Sequence, residues 1–443
     1  MLTVMKQEII ITINNSYSQI TGLDSVGFNA LRKVLSYNID SQSAYFSNNQ
    51  FHTRRYLIDT KGYFPTGLIR YVYRHLDESL VKFKTNDERV KPKALKKPRK
   101  INLKVNPYKD QLNALKSAVT NHFGTLSLPT GTGKSLIIAL IAAELNVRTL
   151  IVVPNLSIKA QLQESFGALF PDMSNITIEN IDSAALETAR SYDCLIIDEA
   201  HHSAATTYQK LNKTAWAGIY YRFFFTATPF RNNQEENMLF ESICGDLIYK
   251  LSYKQAVSRG YIVPLEAYYV ELPKRKSSGH TWRQVYDELV INNHERNEII
   301  AGLIQTLSAG GISTLCLVKE IAHGNTLSVM TAKPFVNGQD DTTKMFIHHF
   351  NSGKFKALIG TTGVLGEGVD SRPAEYIIAA GLGKAKSAFM QWCGRGVRKY
   401  PGKESAKLII FKDKSHKFTI RHFNEQCKIL LEEYGVVPLR LDV

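Results

Sequence analysis

The segment Leu126-Ser-Leu-Pro-Thr-Gly-Thr-Gly-Lys-Ser135 constrains this chain more than any other. An apolar run, Thr125–Leu128, stops; a glycine-bearing loop follows; a helical pattern opens at Ser135 and runs to Leu145. A strand, a tight loop and a helix in that order begin a βαβ unit, which belongs to a parallel sheet covered by helices. Gly131 and Gly133 let backbone N–H groups close around phosphates, and the helix start adds the positive end of its dipole. Lys134 can reach the β- and γ-phosphates, the Ser135 hydroxyl can hold magnesium, and Pro129, Thr130 and Thr132 complete the loop. Leu128 stands where the general phosphate-loop pattern has its first glycine. The competing reading is a chance glycine-rich turn.

A second segment, Cys194-Leu-Ile-Ile-Asp-Glu-Ala-His-His202, argues against chance. An apolar strand brings two carboxylates to its C-terminal end, the edge where α/β sheets bind ligands. Asp198 is placed to hold magnesium and Glu199 to polarise an attacking water, which are needs of phosphoryl transfer to water. An acidic helix cap is the plain alternative. Further runs at Thr149–Val153 and Phe223–Phe225, then at Thr314–Val318, Ala357–Ile359, Tyr376–Ala379 and Leu408–Phe411, suit strands buried on both faces. Helical stretches such as Ile158–Leu169 lie between them. The expected fold is α/β: two tandem parallel-sheet lobes over 105–262 and 295–443, with a connection over 263–294 that includes the polar loop Pro273–Gly279. Residues 1–88 read as a small α+β domain. It has a strand at Glu8–Ile13, a helix around Phe28–Leu35, aromatic segments at Tyr45-Phe46 and Tyr56-Leu57-Ile58, and an amphipathic segment from Leu68 to about Leu80.

Other segments follow in a fixed order. Val153-Pro154 with Gln161 and Thr226-Ala-Thr-Pro229 lie in the first lobe; Gly360–Asp370 and Gln391-Trp-Cys-Gly-Arg-Gly-Val-Arg398 lie in the second. The spacing of Gln391, Arg395 and Arg398 puts them on one face of a helix, from which both arginines can point at a γ-phosphate as arginine fingers. Asp-Glu-Ala-His after such a phosphate loop, followed by these segments, resembles the superfamily 2 helicases of the DEAD/DEAH-like group. The resemblance covers 105–443. It implies RecA-like motor lobes, ATP and Mg2+ as cofactors, and ATP hydrolysis coupled to DNA unwinding or translocation. It also assigns roles. His201, Thr226 and Thr228 couple hydrolysis to nucleic-acid binding. Pro154, Thr361 and Thr362 contact the strand, and Gly368 and Asp370 face the nucleotide. Gln111 contacts adenine, although Asp110 stands where the family has an aromatic residue, with Tyr108 as a shifted candidate for the stacking ring. A surface Gln at a helix start is the plain alternative. Gly260–Pro264, Asn293–Asn297, Ala30–Tyr37 and Phe64–Leu68 resemble the bacteriophage branch-migration helicases of the UvsW type. That implies 3′ to 5′ remodelling of junctions and stalled forks in phage replication, recombination or repair. A double-strand translocase without unwinding, or a nucleotide-gated DNA-binding protein, are the other readings.

Charge supports a polyanionic partner. Lys+Arg is 55 against Asp+Glu 40 in 443 residues, a formal charge of +15. Eight of the basic residues fall in 89–104, where no acid follows Arg89 and Pro92 and Pro98 interrupt any helix. The stretch reads as a linker, either a solvated tether or one that touches phosphates. Arg54 and Arg55, with Tyr56, Arg70, Tyr71, Tyr73 and Arg74, make 1–88 a candidate for holding branched or forked DNA. The five cysteines form no CxxC pair and read as core residues. His201 and His202 are expected to point apart and not to form a zinc site. His348-His349 reads as a helix surface pair. No run of about 18 apolar residues occurs, so no membrane span is expected and the cytoplasm fits.

Overall fold

The computed structural model describes residues 8–38, 54–93, 97–183, 185–186, 191–229, 234–340, 342–365, 373–381 and 386–443. Tyr45, Phe46, Gly368 and Asp370 lie outside them. The chain divides into two compact units: Met1–Ser127 with Lys134–Lys250, and Leu128–Gly133 with Leu251–Val443.

The first unit contains two larger sheets. The four-stranded one runs Tyr63–Pro65, Tyr17–Thr21, Ile9–Ile13, Phe83–Asp87. Ile9–Ile13 and Tyr17–Thr21 form an antiparallel pair with Ile11 opposite Ile20, while Phe83–Asp87 returns parallel to Ile9–Ile13 after two helices. Those helices are Ser25–Val34, capped by Asp24 accepting the Gly27 N–H at 2.7 Å, and Ile69–Glu78. Alternate strand residues and one stripe of each helix, including Ile11, Ile20, Leu31, Val72 and Leu76, close the core. That core also takes in Met238, from far along the chain.

The six-stranded sheet is wholly parallel, in the order Leu247–Lys250, Phe123–Ser127, Tyr221–Thr226, Cys194–Ile197, Thr149–Val153, Ile176–Asn180. Helix Lys134–Leu145 is apolar on nearly every face because it is buried all round, not laid on a surface. The second unit holds a seven-stranded parallel sheet: Phe335–Val336, Ala357–Thr361, Thr314–Val318, Tyr376–Ala379, Ala406–Lys412, Leu265–Glu271, Leu439–Arg440. These are two α/β lobes of the expected class. Within the stretch 263–294, read as a connection, Leu265–Glu271 is a strand of the second sheet, pairing over its whole length with Ala406–Lys412. Cys194, Cys244, Cys316 and Cys393 are buried core residues, and Cys427 is half-buried. Among the described residues, no helix is long and apolar enough to cross a membrane.

The four-stranded sheet is packed onto the first lobe. Gly67 sits so close to helix Gln234–Cys244 that an added Cβ would lie 2.1 Å from the Glu241 carbonyl oxygen and 2.7 Å from that of Ser242. Glu241 accepts from Arg70 at 3.0 Å and from the Tyr71 hydroxyl at 2.5 Å. Arg222, fully buried near the start of a central strand, donates to the Asn15 carbonyl at 3.0 Å, to Ser16 Oγ at 2.5 Å, and to Asn212 Oδ1. The basic stretch after it is anchored too. Arg99 N–H donates to the Ala143 carbonyl, Asn102 N–H to that of Leu169, and Asn146 to that of Lys97. Around Lys97–Asn102 the expected tether is therefore a strap laid on the first lobe.

Candidate nucleotide site

Thr125, Leu126 and Ser127 are buried in the sheet, and the chain turns over Leu128–Gly133 before helix Lys134–Leu145 opens at Lys134. Gly131 and Gly133 have φ of +87° and +81°, which glycine adopts without a Cβ penalty. Thr132 stabilises the turn by donating its hydroxyl to the Pro129 carbonyl at 2.8 Å. Gly131 and Gly133 are exposed, as is Ser135, while Lys134 is nearly buried. A loop that turns its glycine backbone outward at a helix start can take a phosphate chain.

The strand Cys194–Ile197 lies two strands away and ends at Asp198 and Glu199. Glu199 has φ +51°, a left-handed turn that ends the strand abruptly. Its N–H donates to Asp198 Oδ1 at 3.0 Å. Lys134 Nζ donates to Glu199 Oε1 at 3.0 Å, and His201 Nδ1 lies 3.4 Å from Oε2. The structure thus brings Lys134 to the adjacent carboxylates Asp198 and Glu199, the latter 65 residues further along the chain. Their charges are shifted in opposite directions. Burial, with the Glu199 charge adding to it, pushes Asp198 from the ordinary 3.8 up to about 6. Burial also opposes ionisation of Glu199, but the Lys134 ammonium and His201 outweigh it and hold Glu199 well below the carboxylate range.

A buried aspartate whose charge is poorly compensated fits a divalent cation held by one carboxylate, the Ser135 hydroxyl and phosphate oxygens. Among the described residues, no group of three or more His, Cys, Asp or Glu is placed to hold a metal ion. His201 and His202 do not diverge as expected. Their rings lie 4.2 Å apart with 37° between planes, because the segment Ala200–Ala204 winds as a tight 3-10 turn.

Thr226 and Thr228 are buried at the end of the neighbouring strand, and the Thr228 N–H donates to Thr226 Oγ1 at 3.0 Å. Pro154 follows the strand Thr149–Val153, and Asn155 caps the helix Leu156–Leu169 by accepting the Ile158 N–H at 2.9 Å. All these residues stand at the carboxyl edge of one parallel sheet. Gln111 is not a surface residue. It is buried in the first turn of helix Lys109–Asn121, where its Oε1 accepts the Tyr108 N–H at 2.8 Å. Asp110, in the place expected for an aromatic ring, is buried and accepts from the Tyr249 hydroxyl at 2.7 Å. Tyr249 comes from an edge strand, and no local signal marks it. Tyr108 is partly exposed.

In the second unit, Thr361 ends the strand Ala357–Thr361 and Thr362 opens a short helix. Gln391 and Arg395 lie on helix Lys386–Gly396, but that helix stops before Arg398. The expected single face through Arg398 is therefore corrected: Arg398 follows in a turn. Gly396 is packed so tightly that an added Cβ would lie 3.1 Å from Ala406 and 3.2 Å from Ile377. Arg395 is buried and Arg398 half-buried. In the first unit, Arg54 and Arg55 are exposed on a two-stranded ribbon, Ser36–Asn38 with Arg54–Tyr56, and Arg54 donates to Asn38 at 3.2 Å.

The profile of a family described as "Type III restriction enzyme, res subunit" matches residues 104–189 and 174–231, the part that carries the phosphate loop and both carboxylates. The chain is similar to DNA 3'-5' translocase XPB2 of Sulfurisphaera tokodaii, at 22% identity over 358 residues, covering 68% of this chain and 80% of that protein. It is also similar to the ATP-dependent DNA helicase uvsW of Enterobacteria phage T4, at 21% identity over 350 residues, covering 69% of this chain and 68% of that one. Among solved structures, a fragment of a putative HsdR subunit of a type I restriction enzyme from Vibrio vulnificus YJ016 shares the fold. Its TM-score is 0.58 at 17% identity, over 76% of this chain and 68% of that one. Motif order, the two parallel sheets and these relatives agree on an ATP-dependent helicase-type enzyme, and the chain resembles the superfamily 2 helicases, the UvsW-type proteins among them.

Proposed function

We propose that the chain is an ATP-driven DNA motor that remodels branched DNA. The observation that carries the motor reading is the Lys134–Glu199 pair beside Asp198 at the carboxyl edge of a parallel sheet. Without nucleotide, Lys134 is held by Glu199. A triphosphate in the loop competes for the ammonium, and Glu199, released from Lys134, keeps His201 on one oxygen and turns the other to water. In that position Glu199 orients the attacking water. Asp198 and Ser135 would hold Mg2+, which supplies charge neutralisation at the phosphates. Pro129, Thr130, Gly131, Thr132 and Gly133 would cradle the phosphates, and the family resemblance assigns Gln111 to the base. Thr226, Thr228 and His201 pass the change in this site to the strand-contacting residues Pro154, Thr361 and Thr362. Arg395 and Arg398 are assigned the charge stabilisation of the departing phosphate on motif order.

The relatives named as a DNA helicase and a DNA translocase support DNA as the track. The branched substrate rests on resemblance to the UvsW type and on an N-terminal sheet packed on the first lobe, with Arg54 and Arg55 exposed. The relative named as a translocase favours one alternative, movement on duplex without unwinding. ATPase assays without DNA, and with single strands, duplex and four-way junctions, joined to a gel assay of junction dissociation, test the proposal. Glu199→Gln should bind ATP and trap DNA without turnover. ATPase stimulated by duplex without junction dissociation would favour the translocase, and no DNA stimulation would overturn both.

A further inference from the structure

The polar loop Pro273-Lys-Arg-Lys-Ser-Ser-Gly279 has no part in the nucleotide site. It follows the strand Leu265–Glu271 directly, and the sheet is wholly parallel. The loop therefore stands on the same carboxyl edge as Thr361, four strand spacings away, or about 19 Å. It borders an open groove of about 880 Å³ between itself and the segment Gln284–Asn292.

The loop is shaped by bonds that use neither lysine. Arg275 N–H donates to Ser415 Oγ at 2.9 Å and its guanidinium to Asn293 Oδ1 at 2.8 Å. Ser277 Oγ donates to Glu288 at 2.8 Å, and the Ser278 N–H reaches the same carboxylate at 3.2 Å. At Gly279 an added Cβ would lie 2.8 Å from the Val285 nitrogen, so loop and groove wall touch through backbone. Nearby acids are engaged. Glu271 pairs with Lys414 at 2.5 Å and Lys412 at 3.5 Å, Asp287 pairs with Arg283 at 3.0 Å, and Glu288 is turned into the loop by its serine donors. Lys274 and Lys276 are exposed and make no ion pair among the described residues.

We infer that Lys274 and Lys276 form a nucleic-acid backbone contact that extends the Thr361–Thr362 track across the second sheet. The partner is a phosphodiester chain: about 19 Å spans five or six nucleotides of a stacked strand at 3.4 Å each. Two ammonium groups on a preformed loop match repeating phosphates without reading bases. The inference rests on the proposed DNA motor, and the test separates the two. Binding of the full chain to oligo-dT is measured against salt for wild type, Lys274→Gln/Lys276→Gln and Lys274→Arg/Lys276→Arg, with DNA-free ATPase and melting as controls. Loss of two phosphate contacts on a single strand should make the log–log slope shallower by about 1.4, and affinity at 0.1 M salt should fall about 10–30-fold. The arginine pair should keep the wild-type slope, and the controls should not move. A steep wild-type slope retained by the glutamine variant would overturn this contact while leaving the motor standing. Absence of salt-dependent DNA binding in the wild type would overturn both.

Discussion

Asp198→Asn should stabilise the nucleotide-free protein while stopping hydrolysis. Asp198 is buried beside Glu199, and burial raises it from 3.8 to about 6. A carboxylate whose folded pKa is raised is harder to ionise folded than unfolded. The cost is absent below the unfolded value, grows between about 4 and 6, and is fully present above the folded value. At about 1.36 kcal/mol per pKa unit, the interval from 3.8 to about 6 corresponds to about 3 kcal/mol. Relaxation of the exposed loop beside it takes up part of this, so we expect a gain of 1–3 kcal/mol, about 2–4 °C in Tm for each kcal/mol. Asn keeps the acceptor oxygen for the Glu199 N–H, so the turn survives. The assay is thermal melting of wild type and variant at pH 8 and pH 4.5, without nucleotide or magnesium. The variant should melt higher at pH 8, and the difference should shrink to about a third at pH 4.5, which still lies a little above the unfolded value. With ATP and Mg2+ at pH 8 the wild type should gain more than the variant. A variant no more stable than wild type at pH 8, or one whose advantage is unchanged at pH 4.5, would refute the reasoning.

Gly67→Ala should cost about 1–3 kcal/mol in a urea titration, because the new methyl meets the backbone of Glu241 and Ser242; an unchanged midpoint would count against the docking of the N-terminal sheet. Arg222→Met should lower stability by about 3 kcal/mol, since it strips the donors from Asn15, Ser16 and Asn212 together, and equal stability would show those acceptors satisfied otherwise. Arg395→Ala should cut DNA-stimulated turnover by about 10³ with KM for ATP little changed; wild-type turnover would exclude Arg395 from the chemistry.

The central strands were legible because both faces are buried, so Thr149–Val153, Cys194–Ile197 and Thr314–Val318 are continuous apolar runs. The strands without a clear signal lie at or beside the sheet edges. Ile176–Asn180 and Leu247–Lys250 bound one sheet; Phe335–Val336 and Leu439–Arg440 bound the other, with Leu265–Glu271 next to the last. Edge strands are half solvated, and their polar and aromatic residues resemble loop composition. The nucleotide site shows the same division. Lys134, Asp198 and Glu199 carry chemistry in residue type and spacing, whereas the pairing of Lys134 with Glu199, the Tyr249 hydroxyl on Asp110 and the stop of the helix before Arg398 are set by tertiary contacts.

Arg222 shows how far such a contact can change the functional picture. In sequence a charge before Phe223 marks a strand boundary, yet the strand begins at Tyr221 and Arg222 is buried within it. Its partners Asn15 and Ser16 lie about two hundred residues earlier, so no local pattern announces them. The consequence is mechanical. Arg222 stands near the amino end of the strand and Thr226 at the carboxyl end, about 13 Å apart at 3.3 Å per residue. One strand thus ties the N-terminal sheet to the edge that carries the nucleotide residues. Asn15, Ser16 and Asn212 accept from the two terminal nitrogens of the buried guanidinium, while its Nε has no partner among the described residues. Deleting 1–104 would leave that cation without two of its acceptors and expose Met238, so loss of junction activity in a truncation would mix recognition with damage to the first lobe. Arg54 and Arg55 are exposed on one strand of a ribbon whose other strand, Ser36–Asn38, buries Tyr37 in the same core as Met238, so replacing them with Ser, with melting as a control, tests whether the N-terminal region selects branched DNA while leaving the Arg222 anchor in place.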